Sequence, residues 1–332
     1  MHIPKVTVAV PTLAAGDALA DCLRSLESQT LADFEVIVVD NSGAHRALAA
    51  PARGRVISNA RNVGFGAAVN QAFRISQAPY LAVLNDDAAA GSHWLEALLE
   101  CAETNPRAGM FASQVRMGAS LDSAGMLIAA DGSSKQRGHG EPPENFAAAA
   151  EVLFPTGSAA IYRREMLEQI GGFDESYFLY CEDTDLGLRA RWAGWECRYV
   201  PDAVVEHRYS HSAGVASPLK AYYVERNRLY TILKNFPLGL LLRAPFAAFL
   251  RYFWHLILLI QGRGKASEFR SSGRSAAWLP WFAIRAHGAA LLHLPALLRQ
   301  RRRIMRSRRI STSEFEKLLS QHAISLRQVA AL

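Results

Sequence analysis

Several acids of this 332-residue chain stand beside turns and element starts, where carboxylates do chemistry: Asp40, Asp86, Asp87, Glu182, Asp183 and Asp185. Asp86-Asp87 follows the apolar run Tyr80–Leu84 through Asn85. A carboxylate at the mouth of a sheet can hold a divalent cation, because Mg2+ or Mn2+ takes one or two carboxylates and completes its shell with substrate phosphates. An isolated Asp-Asp is equally a turn or a helix cap. Glu182-Asp183 opens a helical stretch, where acids are favoured by the helix dipole alone, and taken by itself the pair needs no further role. His207, after Val204-Val205, has the chemistry of a metal ligand or of an ordinary polar residue. Asn62-Val63-Gly64-Phe65-Gly66, with Asn70, is a glycine-bearing loop opening a helix. Its backbone N–H groups can cradle phosphate or a nucleoside. The loop is also a degraded dinucleotide fingerprint, with Val69 in the third glycine's place. Such a fingerprint belongs after the first strand of its unit, and the first turn here, PTLAAGD, lacks it, which disfavours a nicotinamide-dependent oxidoreductase.

Alternating strand and helix signals must position these groups. Val6–Val10, Phe34–Val39, Val56-Ile57 and Tyr80–Leu84 are short apolar, mostly β-branched runs that predict strands. Helices are expected around Leu19, Leu23 and Leu26, over Gly66–Ile75, after Ser92 as N-cap, and over Asp183–Ala193 with Gly194 closing it. Strands alternating with helices predict an α/β fold with a mostly parallel central sheet flanked by helices. Ligands bind at the carboxyl ends of such strands, and Thr12, Asp40-Asn41 and Asn85-Asp86-Asp87 all fall there. Residues 117–150 show little periodicity and read as a variable excursion.

Half of the residues are hydrophobic and a fifth charged, which excludes a disordered chain. Four scattered cysteines without a CxxC pair exclude a disulfide scaffold or zinc finger and point to reduced thiols in a cytoplasmic setting. The N-terminus carries no signal-peptide pattern. Seven arginines lie between 299 and 309, and removing them from the 37 Lys and Arg leaves 30, equal to the 30 Asp and Glu. The net charge of +7 thus belongs to one segment. Phe236–Ile260 and Ala276–Leu298 are apolar but interrupted, by Arg243, Pro245, Arg251 and His255 and by Pro280, Arg285, His287 and Pro295. A simple transmembrane span is disfavoured. A broad apolar face beside a narrow polar one fits helices lying in a membrane interface, with the arginines attracted to anionic lipid. The competing reading is a buried hairpin with a solvated tail, or a non-catalytic binder attached to membrane or nucleic acid through the arginines. The neutral body argues against nucleic acid.

Taken in order, VTVAVPTL, LADCLRSLESQ, VIVVDNSG, NVGFGAAVNQA, YLAVLNDDA, FDESYFLYCEDTDLGLRARWAGW and His207 resemble the motifs of glycosyltransferase family 2. AYYVERNRLYTILKNFP is similar to its rhamnosyltransferase-like branch. The resemblance implies a GT-A (nucleotide-diphospho-sugar transferase) fold over about 1–235, with a nucleotide-sugar half near 1–116 and an acceptor half near 150–235. A helical, membrane-associating region over 236–332, with the basic segment 299–309, would follow. Pro11, Thr12, Asp40, Asn41, Asn62, Gly64, Asn70, Asn85 and Asp86 would lie at the nucleotide sugar, linked to dTDP, UDP or GDP. Asp87 and His207 would hold Mg2+ or Mn2+, and Asp183 would be the base, supported by Glu182. Asn85 stands where the family's metal motif often begins with Asp, and Asp86 where this branch often has proline, so the role of Asp86 stays open. The processive signature QxxRW is absent, since RARW at 189–192 is a different element. The resemblance therefore implies inverting transfer of one sugar, rhamnose among the candidates, to a glycan or polyprenyl-diphosphate-linked acceptor in cell-surface polysaccharide synthesis. The enzyme would work at the inner face of the cell membrane, without nucleic acid.

Overall fold

The computed structural model describes residues 2–14, 16–44, 51–207, 217–271, 275 and 278–332. The calls on the apolar segment Ala276–Leu298 therefore apply from 278 onward, its first two residues lying outside the described ones. Two compact units emerge: 1–126 with 136–190 and 195–210, and 127–135 with 191–194 and 211–332.

The first unit begins β1 (Val6–Thr12), α1 (Asp17–Glu27), β2 (Phe34–Asp40), β3 (Gly54–Ser58), α2 (Phe65–Ile75) and β4 (Tyr80–Leu84). β5 (Ala88–Ala90), α3 (Trp94–Thr104), β6 (Ala108–Met117) and β7 (Ser120–Ser123) follow. A two-stranded pair, β8 (Met126–Ile128) and β9 (Ser134–Gln136), falls mostly to the second unit, and the first resumes with β10 (Ala150–Glu151), β11 (Ala159–Arg163), α4 (Arg164–Ile170), α5 (Glu182–Trp192) and β12 (Glu196–His207). β-Branched and apolar side chains fill both faces of β1, β2 and β4, as buried parallel strands require. Leu19, Cys22 and Leu26 of α1 and Trp94, Leu95, Leu98 and Leu99 of α3 pack against one face. Those spacings of three and four are the one-sided stripe of an amphipathic helix.

The sheet runs β10-β12-β6-β11-β4-β1-β2-β3, with β5 added to β12 and β7 to β6. It is parallel from β3 to β4 and between β6 and β12, but β11 runs antiparallel to both β4 and β6. The sheet is therefore mixed. β11 starts where β4 ends, since the Asn85 N–H donates to Ser158 O (2.9 Å), so it must run back along its neighbour.

Two local expectations are corrected. Ser92 does not cap α3; His93 holds the N-cap position without a side-chain hydrogen bond, one residue further on. The excursion 117–150 contains β7 to β10 and a short 3-10 helix over Pro143–Phe146. Its strands are two to four residues long, too short for periodicity to reveal.

The second unit is mainly helical: α6 (Pro218–Asn235), α7 (Leu238–Ile260), α8 (Gly264–Ser271), α9 (Leu279–Ser307), α10 (Thr312–Gln321) and α11 (Leu326–Ala331). A buried ionic cluster lies inside it. Arg251 of α7 reaches Asp131 (2.6 Å) and Glu225 of α6 (2.7 Å), Tyr252 donates to Glu225 (2.6 Å), and Arg228 also pairs with Glu225. Of the polar stripe that the sequence pattern shows on α7, Arg251 is thus turned inward and His255 half-buried, while Arg243 is exposed. Leu242, Phe246, Phe249, Phe253, Leu256 and Ile260, spaced by three and four, remain exposed. α9 buries Ala286, Ala290, Leu297 and Ile304. Its opposite face is apolar first, at Trp281, Ile284, Leu291 and Leu292, and then basic at Arg299, Arg302, Arg303 and Arg306.

Candidate active site

The carboxyl ends of β1, β2 and β4 bring the first cluster together. Thr12 closes β1 and its Oγ1 donates to Asp86 Oδ2 (2.6 Å), tying the turn after β4 to the end of β1. Burial pushes the Asp86 carboxyl up, the Thr12 hydrogen bond opposes this, and the charge of Asp87 adds to the rise. Asp40 ends β2, buried, and accepts from the Ser42 N–H (2.8 Å). Asn41 donates to Gly64 O (3.3 Å) and accepts from Asn59 Nδ2 (2.7 Å), which joins this turn to the loop before α2. Asn62 Oδ1 accepts from the Gly64 N–H (2.8 Å). Gly64 has φ +92° and lies so close to Phe178 that a Cβ would stand 2.4 Å from its carbonyl oxygen, so only glycine fits. Pro11 is buried within β1. Asn70 is engaged differently: its amide donates to Phe173 O (2.8 Å) and accepts from the Phe173 N–H (3.0 Å), pinning that segment to α2.

Register explains how His207 reaches Asp87 across 120 positions of sequence. β5 pairs antiparallel with β12, and His207 lies opposite Ala88. The neighbour of Ala88 is Asp87, whose Oδ1 stands 3.2 Å from His207 Nε2. Two cis ligands about 2.1 Å from one cation stand about 3 Å apart, so this pair has the spacing of adjacent metal ligands. Among the described residues no third His, Cys, Asp or Glu completes a metal-binding group with them. The set fits a cation that fills its remaining positions with water and substrate phosphate. Burial lowers the His207 imidazole, but hydrogen bonds and charges from Asp122 and Asp87 outweigh it and lift it to about 9.

Asp122 is the neighbour that sequence reasoning missed. Its Oδ2 lies 3.1 Å from His207 Nδ1 and its Oδ1 3.3 Å from His139 Nδ1. Pairing between β6 and β7 shifts from Val115–Ser123 to Arg116–Leu121, leaving Asp122 as the extra residue of a β-bulge. Bulges re-aim side chains beside active sites. Nothing in the stretch around 122 signals this, because a bulge leaves no periodic trace.

On the other side, Asp183 sits in the first turn of α5. Its Oδ2 accepts from the Gly157 N–H (3.0 Å) and its Oδ1 from the Thr184 N–H (2.6 Å). Gly157 adjoins Ser158, whose carbonyl holds the Asn85 N–H. Asp183 and the Asp87 turn are thereby linked through two adjacent residues at the carboxyl end of β4. Burial raises both Asp183 and Glu182, the latter to about 8 with help from the charge of Asp183. Glu182 is buried behind, with Oε2 lacking a hydrogen-bond partner, whereas Asp183 is half-buried and reachable. The approach to α5 is strained: Phe178, Tyr180 and Cys181 all have φ between 64° and 69°. Such strain clusters at active sites.

The βα sheet, with Asp40, Asp86 and Asp87 gathered at the carboxyl ends of its strands, is a GT-A-type fold. A crystal structure of GalNAc-T7 with UDP, GalNAc and Mn2+ has the same fold, with a TM-score of 0.53 at 13% identity over 70% of this chain and 51% of that one. Residues 7–171 match the profile of Glycosyl transferase family 2, and 144–298 that of Glycosyl transferase family group 2. Over 254 residues the chain is 33% identical to N-acetylglucosaminyl-diphospho-decaprenol L-rhamnosyltransferase of Mycobacterium tuberculosis, covering 67% of this chain and 81% of that one. Rhamnosyltransferase WbbL of Escherichia coli is 39% identical over 70 residues, 21% of this chain and 26% of that one. The chain belongs to glycosyltransferase family 2 and is a glycosyltransferase of the rhamnosyltransferase-like kind.

Proposed function

We propose that the protein moves a single sugar, rhamnose by the names of its relatives, from a nucleotide-diphosphate donor to a glycan carried on a polyprenyl diphosphate. The observation that carries this reading is the two-hydrogen-bond link between the Asp87 turn and Asp183. It sets one carboxylate beside a metal-type histidine and another beyond Gly157, at a single sheet edge. Breaking the donor's anomeric bond requires charge on the leaving diphosphate to be neutralised. A divalent cation held by Asp87 and His207 would supply that when bound. Thr12, Asp40, Asn41 and the loop Asn62–Gly64 would face the nucleoside, with Asn85 and Asp86 closing the turn. Asp183 takes the proton of the attacking hydroxyl, and its raised affinity for protons suits a base working near neutral pH. Direct attack inverts the anomeric centre.

The acceptor's lipid fits the second unit. The exposed apolar faces of α7 and α9 suit an interfacial monolayer, and the arginines ending α9 suit anionic headgroups. α7 is long and apolar enough to cross a membrane, but Arg251 at its middle is bound to Asp131 and Glu225, which favours lying on the inner surface instead. Asp183→Asn should keep its melting temperature and lose at least about a hundredfold in turnover. Asp87→Ala should abolish Mn2+-stimulated donor binding in calorimetry. Near-normal transfer by Asp183→Asn would remove that residue from the role.

A further inference from the structure

Asp122 is nearly inaccessible, 2% exposed, on the short strand β7 that pairs with β6. It is held there by backbone geometry. The β-bulge makes it the extra residue of β7, and the returning chain backs it. Leu121 exchanges hydrogen bonds with Gly140 and Glu141, and Ala124 donates to Arg137 O. His139 therefore lies behind Asp122, with Nδ1 within reach of both its carboxylate (3.3 Å) and its backbone carbonyl (3.2 Å). The result is a line of four side chains, Asp87, His207, Asp122 and His139, at successive separations of 3.2, 3.1 and 3.3 Å.

A histidine binds metal through one unprotonated ring nitrogen, and the hydrogen bond made by the other nitrogen decides which one that is. We propose that Asp122, steadied by His139, is the positioning residue that keeps the proton of His207 on Nδ1 and offers Nε2 to the cation beside Asp87. This rests on the reading of Asp87 and His207 as the metal pair. Asp122 touches neither donor nor acceptor in this scheme and acts through His207 alone. A purely structural Asp122 would brace β7 against β12 and leave metal affinity untouched.

Mn2+ binding to the full chain, followed by the loss of the free-ion signal in electron paramagnetic resonance, separates these roles. Asp87→Ala and His207→Ala should abolish specific binding. Asp122→Asn should weaken it about 10- to 100-fold, and His139→Ala by less. Wild-type affinity in Asp122→Asn, with His207→Ala defective, would overturn the positioning role and leave the metal pair standing. Wild-type affinity in both Asp87→Ala and His207→Ala would overturn the metal pair itself, and this proposal with it. Should Asp122→Asn fail to fold, 15N-histidine NMR of the wild-type chain loaded with Mg2+ decides the matter. A His207 protonated at Nδ1 and bare at Nε2 supports the proposal, and the reverse tautomer overturns it.

Discussion

Glu182 is the residue whose environment makes the sharpest demand. Its carboxyl is buried beside Asp183, which raises it from the ordinary 4.5 to about 8. Burial penalises its charged form, so its contribution to stability is fully present below about pH 4.5 and is lost as pH rises through about 8. Gln cannot ionise, so Glu182→Gln should gain melting temperature over the wild type as pH climbs through that window. The gain should be at least about 2 °C larger at pH 9 than at pH 4, and differential scanning fluorimetry at both values measures it. A constant difference would mean that Glu182 ionises freely. The identities of these acids were legible in the sequence because each follows an apolar run or opens a helix. Their partners were not, since Gly157 and Thr184 carry no signal until the chain is folded.

The elements divide in the same way. β1, β2 and β4 could be read directly, because β-branched runs ending in polar clusters have few other structures open to them. β5, three alanines, gives no strand signal, yet its register on β12 brings His207 to Asp87. In α7 the sequence showed a polar stripe but not its direction, because the partners Asp131 and Glu225 lie in distant segments. Removing Arg251 would take away one of the two arginines that Asp131 and Glu225 share, leaving Arg228 against two buried carboxylates. Arg251→Ala should therefore cost about 3–5 kcal/mol in urea unfolding, and adding Asp131→Asn should recover part of it. A cost below about 1 kcal/mol would place Arg251 in solvent.

Across the whole molecule, the charge arithmetic already isolated one basic segment, and the structure shows four of its arginines, Arg299, Arg302, Arg303 and Arg306, sharing a helix face with exposed apolar groups. Flotation with anionic vesicles tests that surface. Reversing Arg302 and Arg303 to Glu should weaken binding at least about 30-fold, at about 1 kcal/mol per arginine lost, and the effect should shrink in high salt. Phe246→Glu with Phe249→Glu should reduce binding to neutral vesicles as well. Equal binding of all forms would detach these helices from the lipid. The bulge at Asp122 has a different consequence. Because that carboxylate exists as one residue more than its ladder needs, losing a single codon would close the hairpin neatly around the gap. The fold would survive with its histidine unaided, so among kindred chains the length of this hairpin should report competence better than overall likeness does.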